Sequence, residues 1–331
     1  MIVRQRSSLC TAEFIVSIFR FVFHINLSRY EKQDSLGGIG LMNEPKCPYT
    51  EGKIKTARRI AEEVQAMVNN QSTKKMNAMW IESTGCSGNI ISLMNSEDPG
   101  LYRILTNIVN ITYNNSLMGA EGEYAYEKFL ETLDTEFILL VDGAISTKDN
   151  GLYTIMAHYK GKRITALEAV KLAGEKAKYV IAVGTCASYG GMSAAAPNPS
   201  ESKNLKEILN RSVIKLPGCP CHPDWVVGTI AHLILAGVPE LDEEGRPLLF
   251  YGFTIHNTCT RRGLFEQGIF ASKFGEEGCM FNLGCRGPIT KTDCPRRKWN
   301  GYVNWPIGAN TNCIGCAHPE FPDGTKPFVE Y

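Results

Sequence analysis

The sequence predicts an α/β fold in which a parallel sheet domain is followed by a loop-rich region dense in cysteine. Apolar runs at 78–81, 137–141, 179–183 and 213–216 each lead into a turn rich in Gly, Asp or Cys. Helical spacing of apolar residues fills the gaps, as at 166–178 and 225–236. Strand, loop and helix in alternation build a parallel sheet with functional loops at the C-terminal strand ends. After about Pro239 the periodic runs give way to Gly-, Pro- and Cys-rich loops, with six cysteines between Cys259 and Cys316.

Taken in order, residues 1–76 form an N-terminal extension and helix. The stretch 12–27 is apolar but interrupted by Glu13, Arg20 and His24, so it is too short and too broken to span a membrane. It reads as an extension ahead of a start at Met42, with an interfacial helix as the alternative. Apolar spacing predicts a helix over 54–69, and a polar linker follows to Lys75. Residues 77–238 are expected to hold the sheet and 239–331 the cysteine-rich domain.

The chain has 331 residues, 44% hydrophobic and 21% charged, enough to bury two cores of ordinary size. Lys plus Arg number 35 against 34 Asp plus Glu, so no basic surplus marks nucleic acid as a partner. The 12 cysteines need another explanation. Disulfide frameworks belong to small secreted domains, and structural zinc favours two close Cys pairs, whereas Cys313 and Cys316 form the lone C-x-x-C. Iron-sulfur ligation remains.

Cys86, Cys186 and Cys219 fall in three of the four strand-end loops, each preceded by Gly (Gly85) or in a Gly turn (Gly184, Gly218), so they can converge on one site. His256 and Cys259, with Cys279 and Cys285, give one imidazole and three thiolates; the imidazole removes a negative charge and raises a cluster's potential. Cys294, Cys313 and Cys316 form a set of three, suited to 3Fe-4S or to 4Fe-4S with an outside ligand. In a region so poor in regular structure, ligation would supply folding energy.

From about Trp80 to the end the chain resembles the small subunit of nickel-iron hydrogenases. The resemblance rests on Gly184-Thr185-Cys186-Ala187 with Gly190-Gly191, Pro217-Gly218-Cys219-Pro220 and the His256/Cys259 pair. It continues through Gly284-Cys285-Arg286-Gly287-Pro288, Cys294-Pro295, Trp299-Asn300, Trp305-Pro306-Ile307 and Cys313-Ile314-Gly315-Cys316. It implies a flavodoxin-like domain with a proximal 4Fe-4S cluster, then a C-terminal domain with medial and distal clusters. By the same resemblance His256, Cys259, Cys279 and Cys285 hold a distal 4Fe-4S cluster. Cys294, Cys313 and Cys316 hold the medial one, expected to be 3Fe-4S because Pro306 stands where some relatives have a fourth Cys.

Cys86, Cys186 and Cys219 match proximal ligands, but the family's Cys-x-x-Cys after the first strand falls here on Cys86-Ser87-Gly88-Asn89 or on Ser83-Thr84-Gly85-Cys86. The step from Trp80 to Cys86 and the following Ser92-Leu93 favour the first, in which Asn89 replaces the second cysteine. The fourth position is left to Asn89, to Cys221 or to solvent; amide oxygen is a weak iron ligand, while Pro220 is expected to turn Cys221 away. Two extra cysteines of oxygen-tolerant relatives fall on Gly88 and Gly191. Cys10 and Cys47 lie outside the matched motifs and are expected to be unligated.

The resemblance further implies a large-subunit partner bearing the nickel-iron site, and an acceptor such as a quinone or cytochrome b, or a ferredoxin-like protein. A higher oligomer of heterodimers is expected. Arg261, Arg262 and Arg286 would either steer an acidic redox partner or form a solvated basic face. No adjacent arginine pair stands near the start, since Gln5 splits Arg4 and Arg6, and a location in the cytoplasm or on the inner face of the membrane is expected.

Overall fold

The computed structural model describes residues 75–325 and Ala66. The helix expected over 54–69 otherwise lies outside these residues, as do Cys10 and Cys47.

Five strands form one parallel sheet: β1 (Met76–Glu82), β2 (Val109–Asn114), β3 (Phe137–Asp142), β6 (Tyr179–Val183) and β7 (Ile214–Leu216). Their order is β2-β1-β3-β6-β7, and every neighbour pair is parallel. This is the doubly wound arrangement, in which the strand order reverses between β1 and β3 while all strands stay parallel. A small antiparallel hairpin, β4 (Ile155–Tyr159) and β5 (Lys162–Thr165), stands apart.

The central strand β3, Phe-Ile-Leu-Leu-Val-Asp, is buried throughout, as a strand covered on both faces must be. Ile138 and Leu140 join one apolar cluster, while Phe137, Leu139 and Val141 join another on the opposite face. Helices α2 (Gly122–Thr132) and α3 (Ala166–Lys176) cover the second face through Tyr126, Phe129, Val170 and Ala173. Thr165 and Glu168 cap α3 reciprocally, each side chain taking the other's backbone amide at 3.1 Å.

The other face is closed by α5 (Pro223–Ala236), which buries Trp225, Val226, Val227 and Ile230. That same cluster includes Phe250, Tyr251, Met280, Trp305 and Ile307 from the cysteine-rich region. The C-terminal region is thus packed against the sheet through a shared core. Its own elements are short: α6 (Ile255–Thr258), α7 (Arg262–Glu266) and α8 (Cys294–Arg297), linked by turns. Two further helices, α1 (Gly88–Met94) and α4 (Gly184–Tyr189), start directly at strand-end loops of the sheet. Among the described residues no helix is long and apolar enough to cross a membrane.

Candidate metal centres

The first set of thiols lies where the chain leaves β1, β6 and β7. Cys86 and Cys219 are exposed and Cys186 is half-buried. Burial, with the neighbouring thiols of Cys316, Cys186 and Cys86, pushes the Cys219 thiol up to about 12. The three predicted residues therefore share one cradle. Bare backbone makes room for it: Gly143 has φ +86°, and a Cβ there would stand 2.4 Å from the Gly85 nitrogen. At Gly184, φ +80°, a Cβ would meet Asn89 Nδ2 at 2.3 Å. Gly88 and Gly191 also lie against this set, since a Cβ at either would come within 3.1 Å of Cys86 Sγ or Cys186 Sγ respectively.

Asn89 is buried in the wall of the cradle. Its Nδ2 donates to Asp142 Oδ1 at 2.7 Å and to the Val183 carbonyl at 3.4 Å, and its Oδ1 accepts the Cys221 amide at 2.7 Å. One side chain thereby joins the ends of β1, β3, β6 and β7, and Oδ1 keeps one lone pair. The Cys221 thiol, 1% exposed, sits in the apolar cluster and donates to the His222 carbonyl at 3.6 Å.

Asp142 also belongs to the site, and sequence reasoning misses it because β3 is the strand whose loop lacks a cysteine. It is 1% exposed and its Oδ2 has no hydrogen-bond partner. Burial raises its carboxyl to about 6; Asn89 opposes the shift and Glu82 adds to it. An orphaned carboxylate oxygen costs free energy unless something positive faces it.

The second set, Cys294, Cys313 and Cys316, lies inside the protein, with Cys294 and Cys313 buried and Cys316 half-buried. Thr292 Oγ1 donates to Cys294 Sγ at 3.2 Å, and the Gly315 amide to Cys313 Sγ at 3.4 Å. Burial pushes all three thiols up. A metal removes that penalty by taking the thiolate directly, so donors aimed at buried sulfur fit ligands that carry negative charge. Pro306 is exposed and opens the turn that carries Ile307 into the core. Beside this set Arg297, fully enclosed, bridges Asp224 and Asp293, and Trp225 Nε1 donates to Asp293 at 2.8 Å. Nothing in the sequence pattern points to that triad.

The third set, His256, Cys259, Cys279 and Cys285, lines one cavity. Backbone amides of Arg261 and Gly287 each donate at 3.4 Å, to Cys259 Sγ and Cys285 Sγ. Phe265 stands edge-on to the His256 ring at 4.8 Å, and Phe270 and Phe281, both partly exposed, pack on Phe265. Arg261 donates to the Glu276 and Gly278 carbonyls, and Arg262 pairs with Glu266 at 2.9 Å. Both cations thus have partners within the chain, and the surface beside His256 combines aromatic rings with the exposed Arg262–Glu266 pair.

The sets follow one another. The Thr185 hydroxyl accepts the Gly218 amide and donates to the Cys316 carbonyl, tying the first set to the second. The Arg286 amide donates to the Cys313 carbonyl at 2.7 Å, tying the third set to the second. Among the described residues no three His, Cys, Asp or Glu side chains close on a point fit for a single ion.

Residues 86–233 match the family model of the 20 Kd subunit of NADH ubiquinone oxidoreductase; that match alone would leave a quinone-linked enzyme open. Residues 251–329 match the model of the C-terminal region of NiFe/NiFeSe hydrogenase small subunits. The chain is 38% identical to the periplasmic [NiFeSe] hydrogenase small subunit of Desulfomicrobium baculatum, over 78% of this chain and 88% of the relative. The chain belongs to the nickel-iron hydrogenase small-subunit family. It is also 33% identical to the quinone-reactive Ni/Fe-hydrogenase small chain of Wolinella succinogenes, over 77% of this chain and 74% of the relative. A crystal structure of the reduced, active Ni-Fe-Se hydrogenase of D. baculatum superposes with a TM-score of 0.74 at 37% identity, covering 77% of this chain and 99% of that one.

As a hydrogenase small subunit the protein is part of an oxidoreductase acting on H2, carries iron-sulfur clusters for electron transfer, and pairs with a large subunit that holds the nickel-iron site. The expected location is corrected by the same relatives. A cytoplasmic or inner-face location is overturned by those named as periplasmic, the D. baculatum protein among them. The split Arg4-Gln5-Arg6 carries no weight against export, and residues 1–65 lie outside the described residues.

Proposed function

We propose that this protein relays electrons from H2 oxidation at the partner's nickel-iron site through three clusters in series to an acceptor. The observation that carries this reading is the line of thiol sets, in which Thr185 ties the Cys219 turn to Cys316 and the amide of Arg286, beside Cys285, ties to the Cys313 carbonyl at 2.7 Å. Iron-sulfur clusters, when bound, take and release single electrons at potentials tuned by ligands and hydrogen bonds.

Cys86, Cys186 and Cys219 would hold a proximal 4Fe-4S cluster, with the fourth iron left to Asn89 Oδ1 or water, since Cys221 faces His222. Cys294, Cys313 and Cys316 would hold a medial 3Fe-4S cluster. His256, Cys259, Cys279 and Cys285 would hold a distal 4Fe-4S cluster. The division into a sheet domain at 77–238 and a cluster domain at 239–331 belongs to the same reading. The chain's own part is to fix spacing, exclude water and aim donors at sulfur.

The exit side is where His256 meets Phe265, Phe270 and Phe281. With Arg261 and Arg262 internally engaged, apolar docking of the acceptor is better supported than steering of an acidic one. A quinone-linked cytochrome b fits such a surface better than a soluble ferredoxin-like carrier, and heterodimers would assemble further on the membrane. Purification with the partner, followed by H2-uptake assay and EPR, tests the reading. Fast uptake with three reducible clusters supports it, and slow turnover with intact clusters would indicate a hydrogen sensor.

A further inference from the structure

Thr185 lies between two loops of the first thiol set and also reaches the second. Its amide donates to the Gly218 carbonyl at 3.0 Å, and its hydroxyl accepts the Gly218 amide at 2.9 Å. The same hydroxyl donates to the Cys316 carbonyl. Thr185 is 1% exposed. It directly precedes Cys186, and Gly218 directly precedes Cys219, so this single side chain touches the segments of two first-set thiols and one second-set thiol.

We propose that Thr185 is a positioning residue for electron transfer, its hydroxyl holding the Cys186 and Cys219 loops at a fixed separation from Cys316. The inference rests on the three-cluster reading above. A hydroxyl that both accepts and donates has its proton placed by the pair of partners, so it locks Gly218 and Cys316 together where a methyl group could only fill space. The consequence falls on sulfur. With the Cys316 backbone held, the amide of the adjoining Gly315 stays aimed at Cys313 Sγ at 3.4 Å. The Thr185 hydroxyl thus gives a short path of bonds from Gly218, beside Cys219, to the Cys316 carbonyl, joining a ligand segment of the first site to one of the second. Hydrogen bonds to cluster sulfur stabilise the reduced form and raise the potential.

The test is made on the complete enzyme with its large subunit, comparing Thr185→Val, which keeps shape but loses the hydroxyl, with Thr185→Ser, which keeps the hydroxyl. In Thr185→Val the medial midpoint potential is expected to move negative and the magnetic coupling of medial and proximal signals to weaken. Thr185→Ser is expected to match the wild type in both. Loss of medial iron in Thr185→Val alone would be the same result in stronger form. The inference is overturned if both variants match the wild type, or if both depart from it together. A wild-type enzyme lacking a medial signal would instead overturn the three-cluster reading itself.

Discussion

Asn89 Oδ1 accepts the backbone amide of Cys221 at 2.7 Å, across 132 residues of chain. Its Nδ2 meanwhile satisfies Asp142 Oδ1. Asn89 is therefore a brace between the strand ends. Removing it leaves a buried amide and a buried carboxylate without their partners. Asn89→Ala is expected to cost about 3 kcal/mol, at the upper end for lost buried hydrogen bonds. Thermal unfolding of the assembled protein measures this, and a loss below about 1 kcal/mol would deny the brace.

Cys221→Ser should leave the proximal EPR signal intact, because the thiol faces the His222 carbonyl in the apolar cluster. Asn89→Cys should change that signal by offering a fourth thiolate, a stronger iron ligand than an amide. The reverse pair of results would make Cys221 the ligand.

The fold is legible in the sequence where strands are continuously apolar. Runs at 78–81, 137–141 and 179–183 lie in the sheet, and that at 213–216 does so from Ile214 on. The edge strand β2 escapes such a reading, since Asn110, Thr112 and Asn114 alternate with its apolar residues and no Gly-Cys turn follows it. The thiol sets are legible because Cys and His are rare and their motifs are local. The Asn89–Asp142 contact and the Asp224–Arg297 pair are not, being separated by 53 and 73 residues and built from common side chains.

Pro306→Cys is expected to convert the medial cluster from 3Fe-4S to 4Fe-4S and to lower its potential, since a fourth thiolate adds negative charge. Disappearance of the oxidised 3Fe-type EPR signal checks this. A wild type without that signal would refute the assignment.

His256→Cys should retain the distal cluster while lowering its potential, because thiolate replaces a neutral ring. Electron transfer to the natural acceptor should slow while H2-dependent reduction of the medial cluster is preserved. Unchanged transfer would count against an exit at His256.

Arg297→Met breaks a buried triad with Asp224 and Asp293 and leaves two enclosed carboxylates facing each other. Such a break is expected to cost about 3–5 kcal/mol. Since Asp293 adjoins Cys294, iron loss from the medial site should accompany the fall in Tm, and an unaffected Tm would remove the triad from the account.

The central claim, three clusters in series, is tested most directly by iron and acid-labile sulfide analysis of the protein purified with its partner. Two 4Fe-4S and one 3Fe-4S clusters predict about 11 irons per chain. About 4 irons, or zinc in place of iron, would contradict it.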